Sequence, residues 1–139
     1  MSTLARHHLQ IPAATHELEH IRNFVSGHAR RFGFSEQAVA DIRLAVDEAC
    51  TNIIKHAYEL CKDREIRVYI EVYPREMVFS IIDNGKPFDP ANYPVPSLQE
   101  QLQQKKRGGY GLMLMRRLMD RVEYHKTNSH NELRMTKRL

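Results

Sequence analysis

Midway along this chain the spacing of apolar residues changes from a helical period to a strand period, and that change restricts the fold more than any other feature. Val39, Ile42, Val46, Ala49, Ile53 and Ala57 recur every three or four positions from a cap at Ser35 to about Leu60, which predicts one long amphipathic helix. After Lys62 and Asp63 the period is two. Ile66, Val68, Ile70 and Val72 alternate with Arg67, Tyr69 and Glu71, the pattern of a half-buried strand. Pro74 and Arg75 make a tight connection to a second strand over 77–82, whose apolar run predicts a more central place in the sheet. A helix with one apolar stripe and strands with one apolar face are buried together when helices lie on a sheet. The expected fold class is therefore an α+β two-layer sandwich, a mixed, mostly antiparallel sheet with helices on one face.

The flanks extend the same plan. Leu4 to Pro12 place Leu9 and Ile11 in alternation and end at a proline, predicting a short strand at a sheet edge. Thr15 is positioned to cap a helix carrying Leu18, Ile21, Val25, Ala29 and Phe32, which stops at Gly33. Residues 86–107 have no clean period and contain Pro87, Pro90, Pro94 and Pro96 followed by a glutamine-rich run, as expected of a lid. Gly108, Gly109 and Gly111 lead into a helix with Leu112, Met115, Leu118 and Met119, and strands over about 122–126 and 132–136 close the chain. No internal repeat is present, so residues 1–139 are expected to form a single domain.

Composition narrows the function classes. No run approaches the roughly 20 apolar residues of a membrane span, and Arg6, His7 and His8 stand where a secretory signal would be apolar, so a cytoplasmic location is expected. The net charge of +4 is dispersed: Lys105, Lys106 and Arg107 form the one compact basic run, with Arg116 and Arg117 the next close pair. Direct nucleic-acid binding is not expected, and the positive balance favours acidic partners or phosphates. Cys50 and Cys61 have no redox or zinc spacing and are expected to be free thiols. His16, Glu17 and His20 satisfy the HExxH pattern of zinc proteases, but both histidines fall off the apolar stripe and no third ligand follows.

Three segments carry chemistry. In LAVDEACTNIIKHAY, Glu48 and Asn52 lie four residues apart on one helix face. The carboxylate can accept a hydroxyl proton, and the amide oxygen suits Mg2+. His56 follows one turn later and could border the same face. In IIDNGKPFDP, Asp83 sits where a buried strand enters a glycine turn, able to accept a hydrogen bond from an adenine amino group, with Gly85 allowing close approach; read alone, the segment is also an ordinary Asp-Asn-Gly turn. In RGGYGLMLMRRLMD, glycines converge on a helix N-terminus, where backbone amides and the helix dipole favour polyphosphate.

In this order the three segments resemble the N box and two glycine boxes of the ATPase superfamily shared by histidine kinases, gyrase and MutL, with its Bergerat fold. The phrase GKPFDP and the ending GLMLMRRLMD look closest to the bacterial anti-sigma factor serine/threonine kinases. The resemblance implies Glu48 as general base and Asn52 as Mg2+ ligand. It implies Asp83 as the adenine contact, with Gly85, Gly108, Gly109, Gly111 and Leu112 lining the ATP site and Arg107 touching the terminal phosphates. It also implies a protein kinase that phosphorylates an anti-sigma antagonist, binds a sigma factor or comparable regulator and can form a homodimer. The alternative is a nucleotide-dependent binding module that sequesters its regulator with little phosphoryl transfer. A sensor histidine kinase would need a dimerisation helix with a phosphoacceptor histidine, for which these 139 residues leave no room.

Overall fold

A computed structural model describes residues 3–58, 64–85 and 111–139. Among them are five strands, β1 (Ala5–Pro12), β2 (Glu65–Val72), β3 (Glu76–Asp83), β4 (Arg121–Lys126) and β5 (Asn131–Arg138), and three α-helices, α1 (Leu18–Phe32), α2 (Glu36–Asn52) and α3 (Gly111–Leu118). The strands form one sheet in the order β1-β2-β3-β5-β4, and all four pairings are antiparallel. β1 is an edge strand and β3 the middle one, as their proline and apolar content predicted.

The two faces of the sheet follow from the alternation. Ile66, Val68 and Ile70 of β2, Met77, Phe79 and Ile81 of β3 and Met135 of β5 are all fully buried, in one cluster with Ile21 and Val25 of α1, Ile42 and Val46 of α2 and Met115 of α3. Each of these side chains removes about 1.5–3 kcal/mol of apolar surface from water, enough together to fix which way every strand faces. On the other face Arg67, Tyr69 and Glu71 meet the sheet surface, and Arg134 reaches Glu71 at 3.6 Å.

Local signals set the element ends. Gly33 has φ 107°, a left-handed conformation that only glycine adopts freely, and closes α1 with bonds from Gly33 N–H to Arg30 and from Phe34 N–H to Ala29. Ser35 caps α2, its hydroxyl accepting from the Ala38 N–H at 3.1 Å. Thr15 does not cap α1. A 3-10 turn over Thr15–Glu17 precedes the helix, so Thr15 lies inside that turn and Glu17 takes the cap position without a side-chain bond. α2 also ends earlier than its stripe suggests, at Asn52, and continues as a π-helical turn, Ile53–Ala57, in which Tyr58 N–H bonds the Ile53 carbonyl at 2.9 Å.

Side-chain contacts at Lys137 and at His28 lock the helical layer. Lys137 of β5 reaches Asp41 of α2 at 3.7 Å and donates to the Leu118 carbonyl at the C-terminus of α3, where a cation is favoured. His7 of β1 stacks on His28 of α1 with ring centroids 3.9 Å apart, and Phe24 lies edge-on to His28 at 5.0 Å.

Candidate functional site

The pair on α2 and the glycine that opens α3 meet directly. A methyl group at position 111 would stand 2.8 Å from Oε2 of Glu48 and 2.9 Å from Nδ2 of Asn52. Real carbon contacts are never that close, so the two polar side chains converge on the bare α-carbon of Gly111. With Leu118 tied through Lys137 to Asp41 at the other end, α3 runs antiparallel to α2. The first N–H groups of α3, which have no partner within the helix, therefore open next to the carboxylate and carboxamide. Leu112, the next residue, is buried in the core cluster.

Asp83 closes β3 at the same end of the layer and is buried. Its Oδ1 accepts from the Gly85 N–H at 2.9 Å and from Nδ2 of Asn131 at 3.0 Å. Nδ2 of Asn131 also donates to the Gly85 carbonyl at 3.1 Å. Both amide hydrogens of a residue only 5% exposed thus hold the Asp83–Gly85 turn, and the carboxylate bonds from Gly85 and Asn131 both fall on Oδ1. From the helical side, the hydroxyl of buried Tyr58 accepts from the Asn84 N–H at 3.0 Å and donates to the Glu65 carbonyl at 2.6 Å.

The charges around the site are ordered by neighbours. Nε of Arg22 on α1 bonds Oδ1 of Asp47 at 2.8 Å, and its other arm meets Glu19 at 3.2 Å; the Asp47 bond is the chief reason the guanidinium pKa is raised. Asp47 is thus directed at α1, and its neighbour Glu48 is the carboxylate at Gly111. Cys50 lies on the inner face of α2, free and fully buried, and burial pushes its thiol pKa far up, so it stays an unreactive neutral thiol.

Of the residues singled out in the sequence, Glu48, Asn52 and Gly111 form one contact, while Asp83 and Gly85 form a turn at the same end of the sheet. Arg107, Gly108, Gly109 and the lid over 86–107 lie outside the described residues, as do Cys61 and the side chain of His56. The HExxH histidines are exposed and flank Glu17, with His20 Nδ1 at 2.9 Å and His16 Nε2 at 3.4 Å, so the motif is a small surface ion cluster. Among the described residues no group of three His, Cys, Asp or Glu side chains converges as a metal site. A hard cation beside Asn52 would take its remaining ligands from phosphate and water, which is how Mg2+ is ordinarily held in nucleotide sites. Asn131 and Tyr58 were not singled out. Asn131 directly faces Asp83 in the β3–β5 register, a pairing of residues 48 apart that no local pattern announces.

Comparisons with known proteins place the chain in a family. The model of the histidine kinase-like ATPase domain family matches residues 11–137. The serine-protein kinase RsbW of Listeria innocua is 36% identical over 121 residues, covering 84% of this chain and 77% of the relative. The protein of the same name from Halalkalibacterium halodurans is 35% identical over 134 residues, covering 93% and 80%. The crystal structure of the RsbU and RsbW domains of a Mycobacterium tuberculosis protein superimposes with a TM-score of 0.68 at 17% identity; it covers 97% of this chain, which spans 32% of that longer one. That likeness establishes the fold. The chain belongs to the histidine kinase-like ATPase family, on its serine-protein kinase branch. Membership of an ATPase family implies the use of ATP. No helix among the described residues is long and apolar enough to cross a membrane.

Proposed function

We propose that this protein is an anti-sigma factor-type kinase that transfers the γ-phosphoryl group of ATP to a serine or threonine of an antagonist protein. The observation that carries the reading is the convergence of Glu48 and Asn52 on the α-carbon of Gly111. It joins a proton acceptor, a hard-cation ligand and a helix N-terminus within one contact, which are the parts phosphoryl transfer needs.

The chain's residues divide the work by position. Asp83, its Oδ1 held by Asn131 and the Gly85 N–H, presents Oδ2 to the amino group of adenine. Gly85 leaves room for the base to approach. At the other end the α3 N-terminus offers amide donors to phosphate oxygens, and Asn52 supplies an amide oxygen to Mg2+. A Mg2+ ion held there by Asn52 would neutralise phosphate charge. Glu48 takes the proton from the attacking hydroxyl of the partner protein as the new P–O bond forms, and ADP leaves. Arg107, Gly108 and Gly109 are assigned to the phosphate end by family resemblance. The antagonist, and a sigma factor or comparable regulator, are the partners this reading requires, and the positive charge balance suits acidic surfaces on them.

The test is to capture partners from native cell extract on the protein and its Glu48→Ala variant, then supply Mg2+ and γ-labelled ATP. Transfer of label to a captured protein by the wild type, with at least a hundredfold loss in the variant and nucleotide affinity retained, is expected. Equal transfer by the two would remove Glu48 as the base. Capture of a sigma factor with no transfer by either would leave sequestration as the function.

A further inference from the structure

The turn that carries Asp83 is held from two sides, and only one of them is the sheet. Asn131 grips the Asp83 carboxylate and the Gly85 carbonyl from β5. The other grip comes from the helical layer, through Tyr58, six residues beyond Asn52 and just past the π-helical turn that prolongs α2. Its side chain is buried, and the Arg64 guanidinium lies 5.8 Å from the ring centroid. A phenol has one hydrogen to give and two lone pairs to accept with. Here the hydrogen goes to the Glu65 carbonyl at 2.6 Å, and the Asn84 N–H is accepted at 3.0 Å, with Oδ1 of Asn84 also 3.0 Å away. Burial, with a smaller push from the Asp83 carboxylate, raises the phenol pKa and keeps the group a neutral donor.

The accepted bond falls on the peptide between Asp83 and Asn84. Fixing that plane fixes the backbone from which the Asp83 side chain hangs, whereas Asn131 fixes the carboxylate itself. With either grip gone, the carboxylate has a second arrangement open to it. Recognition of a base is sensitive to this, because adenine presents an amino donor where guanine presents a carbonyl acceptor. A carboxylate aimed at that position rewards one base and repels the other.

We propose that Tyr58 is the positioning residue for base selection: its hydroxyl locks the Asp83–Asn84 peptide and so sets the preference of the site for adenine over guanine. The proposal rests on the reading of this site as an ATP pocket.

Tyr58→Phe tests this, since it keeps the ring and removes the hydroxyl alone. Binding of Mg-ATP, Mg-GTP and Mg-tripolyphosphate is measured by calorimetry for the wild type and the variant, with KM for ATP and kcat from label transfer. Affinity for ATP is expected to fall roughly three- to tenfold, the effect of losing one part-buried hydrogen bond to the Asn84 N–H, while GTP and tripolyphosphate stay within about twofold. KM for ATP rises in step and kcat is kept. A loss of ATP affinity under about twofold, or an equal loss for all three ligands, overturns the proposal; a damaged fold can give only the second pattern. If the wild type itself binds no ATP, the pocket reading falls and takes this proposal with it, an outcome told apart because it needs no variant.

Discussion

Adding one methyl group at Gly111 should separate chemistry from folding. In Gly111→Ala the new carbon would sit 2.8 Å from Glu48 Oε2 and 2.9 Å from Asn52 Nδ2, which is about 0.6 and 0.5 Å inside the 3.4 Å where ordinary contact begins. Both atoms are the far ends of side chains that can swing away, so the backbone need not move. The stability cost is correspondingly small, and alanine at a helical position recovers up to about 1 kcal/mol over glycine. Thermal unfolding is therefore expected to shift by only a few degrees in either direction. The cost falls on function. If Glu48 and Asn52 have the proposed roles, displacing them by about half an ångström exceeds the tolerance of a preorganised site, and misplacements approaching 1 Å cost on the order of a hundredfold. Label transfer from γ-labelled ATP to the partner is expected to fall about 10- to 100-fold, with the melting temperature nearly unchanged. Transfer within about threefold of wild type would refute the reasoning, because the contact would then lie outside the reacting centre. Collapse of the fold would refute it differently, by showing that Gly111 serves packing alone.

Other perturbations probe the turn at Asp83 and the packing of α1 on β1. Asn131→Ala removes both donors from the Asp83–Gly85 turn, so a loss of about 1–3 kcal/mol in urea unfolding is expected together with weaker ATP binding; no change in either would show that the amide is not a clamp. His28 gives a pH signature: burial first, then His7 and Arg31, hold its pKa below 6.5, so the unfolded chain takes up the proton more readily. This part of the stability is fully present above about pH 6.5 and declines as pH falls through that value toward the lower folded pKa. The melting temperature should therefore drop between about pH 7.5 and 5.5, and drop less in His28→Phe; equal slopes would clear the His7–His28 stack of any part in it.

Much of this molecule is legible residue by residue. The alternation over 66–72 and the stripe from Val39 to Ala49 put the buried faces where the structure has them, because a side chain's direction in a strand or helix follows from the backbone period alone. Gly33 and Ser35 end one helix and start the next for equally local reasons, a left-handed dihedral and a hydroxyl that reaches its own helix. Glu48 and Asn52 were visible as a pair since both lie on one helix. Thr15 misled because a 3-10 turn leaves the backbone pattern almost unchanged while moving the cap by a few residues. The end of α2 misled in a related way: a π-helical turn keeps apolar residues at nearly helical spacing.

What the tertiary structure decided is which of these parts touch. Gly111 meets Glu48 and Asn52 across about sixty residues of chain, and Asn131 meets Asp83 only through the pairing of β3 with β5. Tyr58 reaches Asn84 only because α2 and β3 end at the same edge of the layer. Periodicity determines how each element faces, since that is a property of a few neighbouring residues. The register and the antiparallel seating of α3 on α2 are settled by the joint burial of the whole core, and the site is made where those distant choices coincide.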